Sequence, residues 1–104
     1  MQKITDNIYA ETEFRGCNPG FVITTEGVVM IDTPQLPVDA INWRNEIAKH
    51  GPDRYLINTE PHSDHFTGNY YFEGTVVAHE GTREVIRAAS VEQLRERLKQ
   101  IALQ

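Results

Sequence analysis

The chain has 104 residues, 39% of them hydrophobic and 24% charged, with a formal net charge of -5. That length leaves room for one hydrophobic core, and the composition excludes both a disordered chain and a fibrous repeat. The acidic balance comes without a basic cluster, which sets nucleic acid aside as a partner, and the single cysteine, Cys17, excludes an intrachain disulfide and a CxxC zinc site.

Ile4 and Ile8-Tyr9 read as short edge-like extended pieces. The start of the chain lacks the basic-then-apolar order of a signal peptide, and no apolar run approaches the roughly 18 to 20 residues of a membrane helix. The expectation is a soluble, cytoplasmic protein with no membrane partner. Apolar runs at residues 21–24 and 28–31 predict two strands, joined by a hairpin turn at Thr25-Glu26-Gly27. Pro37 suits a first helical turn, and Ala40, Ile41, Trp43, Ile47 and Ala48 recur at helical spacing up to the stop signal Gly51-Pro52. Trp43 belongs to the core in this reading, and His50 at the helix end complements the helix dipole.

Residues 55–57 predict a third strand and residues 75–78 a fourth, so that strand, helix and strand imply a crossover. A helix follows over residues 81–89. Ser90-Val91-Glu92-Gln93 then matches a capping box ahead of Leu94, Leu98 and Ile101 on one helical face. The four strands are rich in Val, Ile and Leu with little polar alternation, as in a sheet covered on both faces. Helices at 37–50 and 81–103 can cover one of them. The other face would be exposed in these residues alone, which predicts a homo-oligomer such as a two-fold dimer, or else poor stability.

Between the third and fourth strands lies NTEPHSDHFTGN, residues 58–69, which sets Glu60, His62, Asp64 and His65 into six positions. It follows the carboxyl end of a buried strand, where open α/β sheets place functional loops. In extended or tightly turned backbone, residues two apart share a direction, so Glu60, His62 and Asp64 are expected to converge while His65 points to an adjacent spot. Imidazole suits zinc and iron, carboxylate is a harder ligand, and two metals roughly 3.5 to 4 Å apart can activate a bridging water. Hydrolysis is the chemistry such a centre does best. Cys17 has no base tied to it and reads as structural, as does His79 after the fourth strand.

Three stretches, VVMIDT, NTEPHSDHFTGN and VVAHEGTRE, together resemble the amino-terminal half of the metallo-β-lactamase superfamily over most of residues 14–88. The family motif His-x-His-x-Asp-His reads here Glu60-Pro61-His62-Ser63-Asp64-His65, so Glu60 stands for the first histidine. The resemblance implies an α/β fold (α+β layered): the amino-terminal αβ half of an αββα sandwich, a mixed sheet with helices on one face. It implies Glu60 and His62 as ligands of a first metal, Asp64 and His65 of a second, and Asp32 as a carboxylate just outside them. The cofactor is then zinc, one or two ions, with iron or manganese as alternatives. The function implied is a metal-dependent hydrolase of a small-molecule substrate, using metal-activated water at an ExHxDH motif with Asp64 as the catalytic residue. In the family a second half supplies further ligands. Residues 1–104 therefore read as a partial domain, and a non-catalytic half-domain or degenerate relative with weak or no metal binding is the alternative.

Overall fold

The computed structural model describes residues 1–103. Its centre is a six-stranded mixed sheet in simple sequence order, β1 to β6. Strands β1 (Gln2–Thr5), β2 (Ile8–Ala10), β3 (Gly20–Thr24) and β4 (Gly27–Ile31) pair antiparallel. Strands β5 (Asp53–Asn58) and β6 (Thr75–Ala78) then join in parallel. Parallel pairing requires crossovers, and both are present. Helix α1 (Pro37–Ala48) carries the chain from β4 to β5. From β5 to β6 it passes through a short helix α2 (Ser63–Phe66) and a 3₁₀ turn (Thr67–Tyr71). Helices α3 (Glu80–Ala88) and α4 (Val91–Ala102) follow β6.

The expected elements are all present, with ends shifted by a residue or two. Pro37 opens α1, where its missing N–H costs no helical hydrogen bond. Ser90 caps α4, its Oγ accepting from Gln93 N at 3.3 Å. His50 follows the end of α1, where its N–H donates to Ile47 O at 2.9 Å, and its ring lies tilted against Tyr9 and Phe21, centroids 5.3 and 5.5 Å away. The departure is at residues 63–71, read as loop and observed as helix and 3₁₀ turn.

One face of the sheet carries the core. Phe21, Val28, Met30 and Leu56 pack there against Trp43 and Ile47 of α1, with Phe14 edge-on to Trp43 at 5.8 Å. On the same face Val76 and Ala78 line a cavity with Ile86 of α3. Helix α4 buries no residue fully. Its Leu94 and Leu98 line a cavity of about 430 Å³ with Phe66, Tyr70 and Tyr71.

The register places Val22, Val29, Ile31, Tyr55, Ile57 and Val77 on the opposite face, and none of them is buried. Tyr55 and Val77 are 52% and 46% exposed. Residues one apart in a strand face opposite sides, so the continuous apolar runs supply both a core and an uncovered apolar surface. Such a surface seldom stays bare in a soluble monomer. The 104-residue chain is expected to sediment as a dimer or larger species at low micromolar concentration, and Tyr55→Lys with Val77→Lys should shift it to monomer with unchanged circular dichroism.

Candidate metal centre

The sheet itself brings the centre together. Because β4 and β5 are parallel neighbours, their carboxyl ends lie side by side, and the segments leaving them start from one edge. Asp32, the first residue past β4, donates its N–H to Ile57 O at 2.7 Å, which holds it to β5 beyond the end of its own strand. Its φ is +57°, in the left-handed region that costs most side chains but that Asp tolerates. The side chain is buried and well partnered. Oδ1 accepts from Thr59 N at 2.8 Å, and Oδ2 accepts from the Thr59 hydroxyl at 2.6 Å.

Asp32 Oδ2 also lies 2.8 Å from His65 Nδ1. A carboxylate only accepts, so Nδ1 carries the proton. That orients the ring and directs Nε2 at Glu60 Oε1, 2.9 Å away, and at Asp64 Oδ2, 3.7 Å away. Glu60, Asp64 and His65 each offer one ligand atom, and these atoms all lie within 4.8 Å of one another. Two carboxylate oxygens and an imidazole nitrogen sharing so small a space need a positive charge among them, and a divalent cation is one way to supply it. The second ring nitrogen of a metal-binding histidine characteristically donates to a carboxylate, the arrangement Asp32 provides.

His62 is placed differently. Its Nδ1 contacts Glu60 Oε1 at 2.9 Å, but its side chain is 76% exposed. The expected convergence of Glu60, His62 and Asp64 is drawn for extended or tightly turned backbone. Instead the chain turns helical at Ser63, which brings Asp64 and His65 back toward Glu60 and leaves His62 at the helix N-cap, linked to the centre through Glu60. His79 is apart from this group: its Nδ1 accepts from Gly81 N at 3.0 Å and caps α3. Thr59 is the residue sequence reasoning missed. A hydroxyl directly after a buried strand was the available signal, but its partner Asp32 is 27 positions away.

The segment before β3 closes one side. Gly16 has φ +98°, and a Cβ there would sit 2.7 Å from Gln35 Nε2 and 2.9 Å from Asp64 Cβ, so only glycine fits against the centre. Next to it Cys17 is buried, its thiol donating to Thr33 O at 3.3 Å. Burial first, then the nearby Asp32, Asp64 and Glu60 carboxylates, push its pKa from the usual 9.0 to about 12. The same three carboxylates that would attract a cation suppress a thiolate.

No protein-family model matches the sequence. A metallo-β-lactamase type 2 of Elizabethkingia meningoseptica is 29% identical over 82 residues, covering 70% of this chain and 33% of that protein. Among solved structures, a B3 metallo-β-lactamase described as having an active-site glutamic acid superposes with a TM-score of 0.68 at 30% identity, over 84% of this chain and 35% of that one. A metallo-β-lactamase from Pontibacter korlensis gives 0.62 at 22% identity, over 83% and 46%. The fold is thus that of the amino-terminal half of the metallo-β-lactamase superfamily, and the resemblance holds in sequence and in structure. The chain spans about a third of the length of the curated relative it matches.

Two outcomes are expected at this centre. Asp32→Asn keeps a side chain that tolerates positive φ but replaces one acceptor oxygen by an amide, and should weaken divalent-metal binding by about 10- to 100-fold in a calorimetric titration, with the fold retained. The Cys17 thiol should resist alkylation in the native chain at mildly alkaline pH and react on unfolding. Its pKa is raised on folding, so the folded state binds more protons in this range, and the stability linked to Cys17 should fall as pH rises from 9.0 toward about 12. Denaturation midpoints across that range measure it.

Proposed function

We propose that the parent polypeptide is a metal-dependent hydrolase of the metallo-β-lactamase superfamily, acting on a small-molecule substrate through a centre built on Glu60, His62, Asp64 and His65. The observation that carries this is the convergence of Glu60, Asp64 and His65 within 4.8 Å, with the remaining nitrogen of His65 fixed by Asp32. The donor set suits one or two divalent ions. Zinc accepts imidazole and carboxylate alike, and the second carboxylate hardens the site toward manganese or iron. A solved relative described as carrying an active-site glutamic acid supports reading Glu60 as part of the centre.

When bound, the ion supplies a water of lowered pKa and polarises the scissile bond. The chain's own residues do the rest. Asp32 and Thr59 keep the His65 ring in one tautomer and one orientation. Asp64 has the catalytic role: its carboxylate is one-third exposed, so it can hold a ligand position and orient the attacking water toward substrate. Glu60 links the two imidazoles through one oxygen. Residues 1–104 form one half of the catalytic domain, and the remaining ligands come from a second half.

A non-catalytic half-domain is the competing reading, favoured by the one-third span of the curated relative and by Glu60 in the first motif position. Zinc titration of the parent polypeptide, followed by a generic lactam and ester hydrolysis assay, separates the two. Stoichiometric zinc with turnover supports the hydrolase, and absence of both overturns it. Asp64→Ala should abolish metal binding and turnover with little change in circular dichroism. Glu60→His should raise affinity for zinc relative to manganese, and an unchanged preference in competition titrations would remove Glu60 from the ligand set.

A further inference from the structure

Helix α2 carries both Asp64 and His65, yet it has four residues and no side-chain cap at its N-terminus. One helical turn does not hold itself in water, so the placement of these side chains is imposed from outside. The anchor is the main-chain carbonyl of His65. It accepts from Thr33 N at 3.1 Å, from the Thr33 hydroxyl at 3.2 Å and from Asn58 Nδ2 at 3.1 Å. Thr33 and Asn58 are 0% and 3% exposed.

Asn69, in the 3₁₀ turn, ties these donors together. Its Nδ2 donates to Asn58 Oδ1 at 2.7 Å, its Oδ1 accepts from Asn58 Nδ2 at 3.2 Å, and the same Oδ1, 3.1 Å from the Thr33 hydroxyl, shares that group's single proton with His65 O. The two amides therefore form a reciprocal pair, which leaves the second Asn58 Nδ2 proton aimed at His65 O. The turn is also pressed against this group, since a Cβ on Gly68 would run into Pro34 O and come within 2.9 Å of Thr33 Oγ1. His65 is thereby held at two ends: its carbonyl by Thr33 and Asn58, its ring by Asp32.

We propose that Asn69 is a positioning residue for the metal centre: by orienting Asn58 and Thr33 it fixes His65 O, and so sets where the His65 ring sits between Asp32 and Glu60. Asn69 touches none of the converging ligand atoms and acts only through its neighbours. For its effect on metal, the inference rests on the hydrolase reading. Its effect on the His65 ring does not.

The test compares the full chain with Asn69→Ala and Asn69→Asp. Urea unfolding fixes the folded fraction of each, ¹⁵N shifts of the histidine rings in mildly alkaline, metal-free buffer report the His65 tautomer, and cobalt(II) titration followed by absorbance reports affinity. The parent should show Nδ1 protonated and held in one hydrogen-bonded state, as its bond to Asp32 requires. Asn69→Ala should give a mixture of tautomers and about a 10- to 100-fold loss of cobalt affinity in molecules that remain folded. Asn69→Asp keeps the acceptor but loses the donor, and should lie between. A folded Asn69→Ala with the parent's tautomer and affinity, or an affinity loss no greater than its unfolded fraction, overturns the proposal. If Asn69→Ala does not fold, the same readings on Asn69→Asp decide it. If the parent binds no cobalt, the hydrolase reading fails while the tautomer still decides the role of Asn69.

Discussion

The pairing of Asp32 with His65 is the interaction on which the centre depends. A nearly buried carboxylate is tolerable only when its lone pairs are used, and Asp32 uses them on the Thr59 amide, the Thr59 hydroxyl and His65 Nδ1. Those bonds join the end of β4, the residue after β5 and helix α2 at one point. They also repay the positive φ at Asp32, a backbone cost of order 1–3 kcal/mol that persists only where surrounding contacts over-determine it. The parallel pairing of β4 and β5 is the precondition, since antiparallel neighbours would send the two outgoing segments to opposite ends of the sheet.

The electrostatics follow from three carboxylates sharing one small volume. Asp32, Glu60 and Asp64 face the same small volume, and their joint field is felt at the Cys17 thiol. His62 and His65 are ion-pair partners of these three carboxylates. The two imidazoles are unequal. His65 has both ring nitrogens engaged and little exposed surface, whereas His62 touches Glu60 and is otherwise open to solvent. One is held at both ring nitrogens against the sheet, and the other is held through Glu60 on the solvent side of the centre.

The same sheet has two opposed characters. Its helix-covered face packs Phe21, Val28, Met30 and Leu56 around Trp43, and that core makes the edge carrying the centre rigid. Its other face presents Val29, Ile31, Tyr55, Ile57 and Val77 without cover among the described residues. Ile31 and Ile57 lie on the open face immediately before Asp32 and Asn58. Whatever covers that face therefore lies next to the residues that hold the centre.

Sequence determined the strands, α1, the helical carboxyl-terminal part and the parallel crossover, because these are written in local signals: apolar period, Pro37, Gly51-Pro52 and the Ser90 cap. The residue types of the centre were legible for the same reason, packed as they are into six neighbouring positions. Their directions were not. Residues 58–71 carry no helical apolar stripe, and α2 exists because Thr33 and Asn58 bind the carbonyl of His65, contacts of which Thr33 lies 32 positions away. Without that turn Glu60, His62 and Asp64 would share a side. With it, Asp64 and His65 join Glu60 and His62 turns outward. Asp32 could be noticed in sequence as an acid at a strand end, but its bonds to Thr59 and His65 span 27 and 33 positions. Only the folding of β4 against β5 brings those residues within reach, and that is a property of the sheet, which no local stretch of the chain encodes.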